Sequence, residues 1–120
     1  MANTVLNKKD KDFKLSLDIK EVANLVGSTC IECYGVLGLT NKVATRNKLT
    51  LLKKDKYVEG VELKKEKGGF VVDVHLVCAY GVKVSEIATE VNKRICYILR
   101  RKYGELFKQV NVYVDELREL

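Results

Sequence analysis

Phe70-Val71-Val72-Asp73-Val74-His75-Leu76-Val77-Cys78-Ala79-Tyr80-Gly81 is the stretch on which the fold turns. Phe70, Val72, Val74, Leu76, Cys78 and Tyr80 fall on one side of a two-residue alternation, and Val71, Asp73, His75, Val77 and Ala79 on the other. That is the period of an extended strand, with the first face turned to a core. Gly81 breaks the run, and the period then changes. Val84, Ile87, Ala88, Val91, Ile95, Ile98 and Leu99 form one apolar helical stripe, with Ser85 as the expected cap. Glu86, Glu90, Lys93, Arg94, Tyr97, Arg100 and Arg101 fill the opposite face, cations toward the C-terminal end, where the helix dipole favours them.

Upstream, Val61 and Leu63 alternate with Glu62 and Lys64, and Lys67-Gly68-Gly69 supplies the positive-φ residues of a hairpin turn. Residues 41–57 are polar and basic, an expected exposed excursion tied down by Leu49, Leu51 and Leu52 as a short helix or flap. Val36 to Leu39 reads as a short buried strand. Before it, Asp18 stands three residues ahead of Glu21 in a capping-box arrangement, and Ile19, Val22, Ala23, Val26 and Cys30 line one helical face up to Gly35. Phe13, Leu15 and Leu17 alternate as a first strand. Downstream, Gly104 ends the second helix, and Val110, Val112 and Val114 form a closing strand.

The order β-α-β, β-hairpin, α-β predicts an α+β two-layer sandwich. Two main helices pack on one face of a mixed or mostly antiparallel sheet of about four to five short strands. The expected organisation is a flexible tail over 1–12, a single α+β domain over 13–115 with its basic excursion at 41–57, and a polar tail over 116–120.

Composition agrees with one folded domain. In 120 residues, 47% apolar and 32% charged, there is room for one core and too much hydrophobicity for disorder. Twenty-two Lys and Arg against sixteen Asp and Glu leave +6, which favours polyanions. The start of the chain, with Lys8-Lys9-Asp10-Lys11-Asp12, lacks the apolar core of a signal peptide, and no apolar run reaches bilayer-spanning length. The expected location is the cytoplasm, where Cys30, Cys33, Cys78 and Cys96 stay reduced.

Four patterns invite chemistry. Cys30-x-x-Cys33 has the spacing of a zinc or thiol-exchange pair. It closes a helix instead of opening one, and there the dipole raises a thiolate's pKa; zinc would need Cys78, Cys96 and His75 to converge, so the cysteines read as small buried apolar residues. His75 with Asp73 has the letters of a base and its orienting acid, yet no nucleophile accompanies them. Gly35-Val36-Leu37-Gly38 matches the G-x-x-G of KH loops, but its centre is apolar and opens a strand. The remaining pattern is basic: Lys42, Arg46, Lys48, Lys53, Lys54 and Lys56, with Arg94, Arg100, Arg101 and Lys102, form a candidate polyanion or partner surface, to which Tyr97 and Tyr103 could add stacking.

Glu32-Cys33-Tyr34-Gly35-Val36-Leu37-Gly38-Leu39 resembles the first signature of the bacterial alkaline-shock, or envelope stress response, family. The run His75 to Val91 is similar to that family's strand, Tyr-Gly turn and helix opening, and Val110-Asn111-Val112-Tyr113-Val114 to its last strand. The likeness covers Phe13 to Val114 in order. It departs at Asn92, where the family often has Gln, and at Asp115-Glu116, where a Gly follows its final strand.

The resemblance implies a small cytoplasmic stress or housekeeping protein of Gram-positive-type bacteria, with no known reaction, acting near the envelope through protein partners. It singles out Tyr34-Gly35 and Tyr80-Gly81 as a turn motif; from the residues alone, Gly81 makes a bend and Tyr80 packs in the core. The expected function is that of a non-catalytic adaptor or scaffold without catalytic residues, cofactor, metal or small-molecule substrate. It would bind proteins, membrane-associated ones included, sit beside the membrane through such a partner, and self-associate through a sheet edge. The alternative is a small RNA- or DNA-binding module using the basic residues.

Overall fold

The computed structural model describes residues 18–119. The expected strand at Phe13 to Leu17 and the tail over 1–12 lie outside these residues. Within them run α1 (Ile19–Ile31), β1 (Val36–Thr45), β2 (Lys48–Leu51), a 3-10 helix (Lys54–Glu59), β3 (Val61–Glu66), β4 (Gly69–Ala79), α2 (Val84–Tyr103) and β5 (Phe107–Arg118). The architecture is α+β, with two helices on an open, mixed five-stranded sheet.

β4 organises the sheet, as its unbroken alternation requires. β5 runs parallel to it from Phe70/Phe107 to Ala79/Arg118, joined through α2 as a βαβ unit. Since β5 occupies the length of one edge, β3 and β1 share the other: β3 pairs antiparallel from Val61/Val74 to Glu66/Gly69, and β1 antiparallel from Val36/Cys78 to Leu39/Leu76. Between them the His75 N–H donates to the Gly60 carbonyl at 3.1 Å. Phe70, Val72, Val74, Leu76 and Cys78 are buried, and against them lie Val22, Ala23, Val26 and Cys30 of α1 and Ile87, Val91, Ile95 and Leu99 of α2. Both stripes are those read from the sequence.

The helix ends follow the chain less closely. Asp18 caps α1, accepting from the Lys20 N–H at 3.0 Å, whereas Glu21 pairs with Lys102 Nζ at 3.0 Å. α2 is capped by Lys83 without a side-chain hydrogen bond; Ser85 lies inside the helix, where its carbonyl accepts from the Thr89 hydroxyl. Gly104, at φ 68, closes it.

Three expectations need correction. First, 41–57 is exposed over most of its length but is more than a short helix or flap: it is a strand hairpin followed by a 3-10 helix. β1 continues to Thr45, turns at Arg46-Asn47, both at positive φ as a two-residue hairpin turn requires, and returns as β2. A bulge at Asn41 to Val43 bends β1: the Thr40 hydroxyl accepts from the Lys42 N–H at 3.0 Å, and Asn41 Oδ1 from the Val43 N–H at 3.1 Å. Tyr57 then anchors the 3-10 helix on α1, its ring filling the place a side chain at Gly27 would take, within 2.2 Å of a Cβ there.

Second, the sheet is not apolar on one face alone, because Val71 and Val77 are buried on the other. At Val77 the bent hairpin provides cover: Leu51 packs on Gly38, and β2 is gripped by side chains of β5. Third, 116–118 is strand, since Glu116, Leu117 and Arg118 pair with Val77, Cys78 and Ala79. Polar letters concealed it, for Glu116 and Arg118 face the side away from the helices.

Candidate functional site

The two Tyr-Gly turns meet at one end of the sheet. After α1 the chain reverses through Tyr34-Gly35, Gly35 at φ 89 and so close to α2 that a Cβ would stand 2.9 Å from Ile87 Cδ1. The Ala79 N–H donates to the Gly35 carbonyl at 2.8 Å, and the Tyr80 N–H to the Arg118 carbonyl at 2.9 Å, joining the first turn to the end of β4 and the second to the end of β5. Tyr34 is 84% exposed and Tyr80 66%. Tyr80 is therefore not core: pairing ends at Ala79 and Gly81, at φ 96, redirects the chain, so the strand alternation no longer governs its direction. Ile31 and Leu117 are exposed at the same end. Four of the seven large apolar side chains exposed among the described residues thus gather around this junction.

The ten basic candidates fall into two groups that behave differently. On α2, Arg94 pairs with Glu90 at 2.8 Å, Arg100 lies 3.8 Å from Glu105, Arg101 donates to the Tyr97 hydroxyl at 3.2 Å, and Lys102 holds Glu21 at 3.0 Å. Arg94 keeps the Glu90 carboxyl below its ordinary range, chiefly through their hydrogen bond. Lys42, Arg46, Lys48, Lys53, Lys54 and Lys56 are all exposed and have no ion-pair partner among the described residues. The groups do not make one surface. β2 lies against Glu116 and Arg118 at the end of β5, whereas Arg100 to Lys102 precede its beginning. Tyr103 turns inward, packed edge-on to Phe107 at 5.6 Å, leaving Tyr97 as the exposed ring.

The grip on β2 was not foreseen. Glu116 Oε1 accepts from the Leu49 N–H at 3.0 Å, Arg118 Nη2 donates to the Leu49 carbonyl, and Glu116 and Arg118 pair with each other at 3.0 Å. Hairpin alternation from the closing pair Thr45/Lys48 points Leu49's backbone groups outward, so two side chains replace the missing strand neighbour. The Arg118 guanidinium, then the Leu49 N–H, hold the Glu116 carboxyl below its ordinary range. The sequence signal was an acid and a base two apart, the spacing of one strand face.

The chemical candidates are otherwise engaged. His75 donates from Nδ1 to Asp115 at 2.9 Å and stacks on Tyr113 at 5.0 Å, so its carboxylate partner is Asp115 and not Asp73. Asp73, only 3% exposed, is taken by Lys64 at 3.0 Å and the Asn111 amide at 2.8 Å. Cys30, Cys33 and Cys78 are buried free thiols, and Cys96 is half-buried. Burial, helped by neighbouring Cys33 and Cys78, pushes Cys30 up to about 12; burial also raises Cys33 and Cys78. Among the described residues no three His, Cys, Asp or Glu side chains cluster as metal ligands. Gly38 is buried in β1, where a nucleic-acid loop would have to be exposed. Among the described residues, one open cleft of about 390 Å³ lies between the helices, bordered by Thr29, Glu32, Arg94 and Tyr97, and another of the same volume between α2 and β5, bordered by Thr89, Asn92 and Tyr113.

The segments carrying the expected resemblance are therefore those that build the turn junction and the sheet beneath it. A family model for alkaline shock protein 23, described as having a cell envelope-related function, matches residues 7–119. The chain belongs to the alkaline shock protein 23 family. A relative in this family, the uncharacterized protein Spy1614 of Streptococcus pyogenes, is 36% identical over 114 residues, which cover 94% of this chain and 93% of that protein. The uncharacterized protein YloU of Bacillus subtilis is 27% identical over 111 residues, 92% of each chain. Among solved structures, a manganese form of the MamM C-terminal domain aligns with 84% of this chain and all of its own, at 13% identity and a TM-score of 0.49. A second form of that domain aligns with 83% of this chain and 96% of its own, at 11% identity and the same TM-score. No helix among the described residues is long and apolar enough to cross a membrane.

Proposed function

We propose that this member of the alkaline shock protein 23 family is a non-catalytic docking domain on the cytoplasmic side of the cell envelope, binding a protein partner through the Tyr34/Tyr80 end. The observation that carries this reading is the gathering of exposed Tyr34, Tyr80, Ile31 and Leu117 around two hydrogen-bonded turns. Large apolar groups on a rigid scaffold suit a binding hot spot: aromatic rings bury much area while losing little rotamer freedom. A role without catalysis is supported by the thiols held protonated, and by His75 and Asp73, each occupied by structural partners. The family's description, a cell envelope-related function, is consistent with a partner near the envelope.

The test is a photo-crosslinking side chain placed at position 34 or 80 in living cells, compared with the same label at the exposed Glu105. The expected result is a discrete protein adduct from the two turn positions only. Wild-type chain should compete it away, and Y34A/Y80A should not, while keeping an unchanged thermal midpoint. Adducts of equal yield at Glu105, or equal competition by Y34A/Y80A, would overturn the assignment.

A further inference from the structure

We propose that the 41–57 segment is a second working surface, one that rests on membranes rich in anionic phospholipid headgroups. The segment holds six cations against the single anion Asp55, a net +5 in a chain whose formal net charge is +6. With Glu59, which ends the 3-10 helix, the hairpin and that helix together carry +4, so most of the molecule's charge imbalance is concentrated there. All six cations are exposed and lack an ion pair among the described residues, while the four on α2 are engaged. Cations already neutralised contribute little attraction to a polyanion; these six, of which Lys48 feels a nearby carboxylate, that of Glu116, contribute most of it.

The form of the surface selects among polyanions. One hairpin face, with Leu49 and Leu51, turns toward the sheet, and the other presents Val43, Thr45, Lys48 and Thr50 to solvent, Thr45 and Thr50 joined through their hydroxyls at 3.0 Å. This is a projecting ridge with an exposed turn, neither a groove that tracks a nucleic-acid backbone nor a platform for bases. The only aromatic residue in the segment, Tyr57, is buried against α1. Single-strand binding relies on aromatic stacking, which the segment does not offer. Five of the six cations are lysines, mobile point charges suited to a diffuse field of headgroups; paired recognition of a defined phosphate favours arginine. Val43, 56% exposed beside the turn, adds an apolar contact that can enter the headgroup layer. The family's cell envelope-related function agrees with such a surface.

The test is sedimentation of purified protein with vesicles of phosphatidylglycerol and phosphatidylcholine against phosphatidylcholine alone, at low and high salt, with poly(U) RNA as a parallel ligand. Binding is expected to the anionic vesicles only, weakening with salt. Each lysine removed should lower partitioning about fivefold. Hence K48Q/K53Q/K54Q should lose roughly a hundredfold, and K48R/K53R/K54R should keep its binding. Equal binding to both vesicles, wild-type binding by the glutamine variant, or tighter binding to poly(U) than to the anionic vesicles would overturn the proposal. The crosslink at positions 34 and 80 uses other residues, so either proposal can fail alone.

Discussion

Gly27 faces a ring instead of a void: Tyr57 stands where its side chain would be. Gly27→Ala must push the ring off α1, and overpacking of this kind costs about 1–3 kcal/mol. Gly104→Ala meets nothing within 4 Å, so its penalty is that of the backbone alone, φ 68 with ψ −135, a region left essentially to glycine and costing about 1–3 kcal/mol. Urea denaturation of both variants separates the causes: Y57A should recover part of the loss at Gly27 and none at Gly104. Such pairings were out of reach of the letters, because Gly27 looked like one more residue of an apolar helix and Tyr57 like the end of a basic loop. Tyr80 was misjudged for the opposite reason. Its place in an alternating run was correct, but the run's last pairing, at Ala79, is set by the neighbouring strands.

Elements with a long, uninterrupted period were legible. β4 and α2 each repeat one rule over many residues, and burial of Val72, Val74, Leu76, Ile95 and Leu99 follows it. β1 was legible only as far as Leu39, since beyond it the strand leaves the core and the bulge at Asn41 to Val43 interrupts the alternation. β2 is held by Glu116 and Arg118 in place of a second strand, and its stability should depend on them. R118A removes the donor to the Leu49 carbonyl and releases Glu116, a loss of about 1–2 kcal/mol felt locally. Hydrogen exchange is expected to accelerate about tenfold at Leu49 and leave Val72 and Val74 unchanged. Equal acceleration of the sheet core would show that the hairpin does not open by itself.

For the whole molecule, architecture was readable because apolar stripes dictate layers, and the candidate site only in part. The basic residues and the turn motif could be named, but which cations find partners depends in part on distant chain, as with Glu21 for Lys102. The core also sets a pH response. The folded chain keeps Cys30 protonated to about 12, above the ordinary 9.0 of an exposed thiol, with Cys33 and Cys78 raised as well. The unfolded chain gives up these protons first, so the stabilisation is intact below the ordinary thiol value and lost as pH climbs toward the folded one. Unfolding free energy should thus decline above that value by up to about 1.4 kcal/mol per pH unit for each thiol, and more gently in C30A, as urea titrations across alkaline pH would show. A final consequence lies in how β1 and β3 share an edge of β4. The chain leaves at Leu39, opposite Leu76, and comes back at Val61, opposite Val74, so its points of departure and return are neighbours. The segment between can therefore change length with little cost in loop closure, so long as Leu51 and Tyr57 keep their places at Gly38 and Gly27.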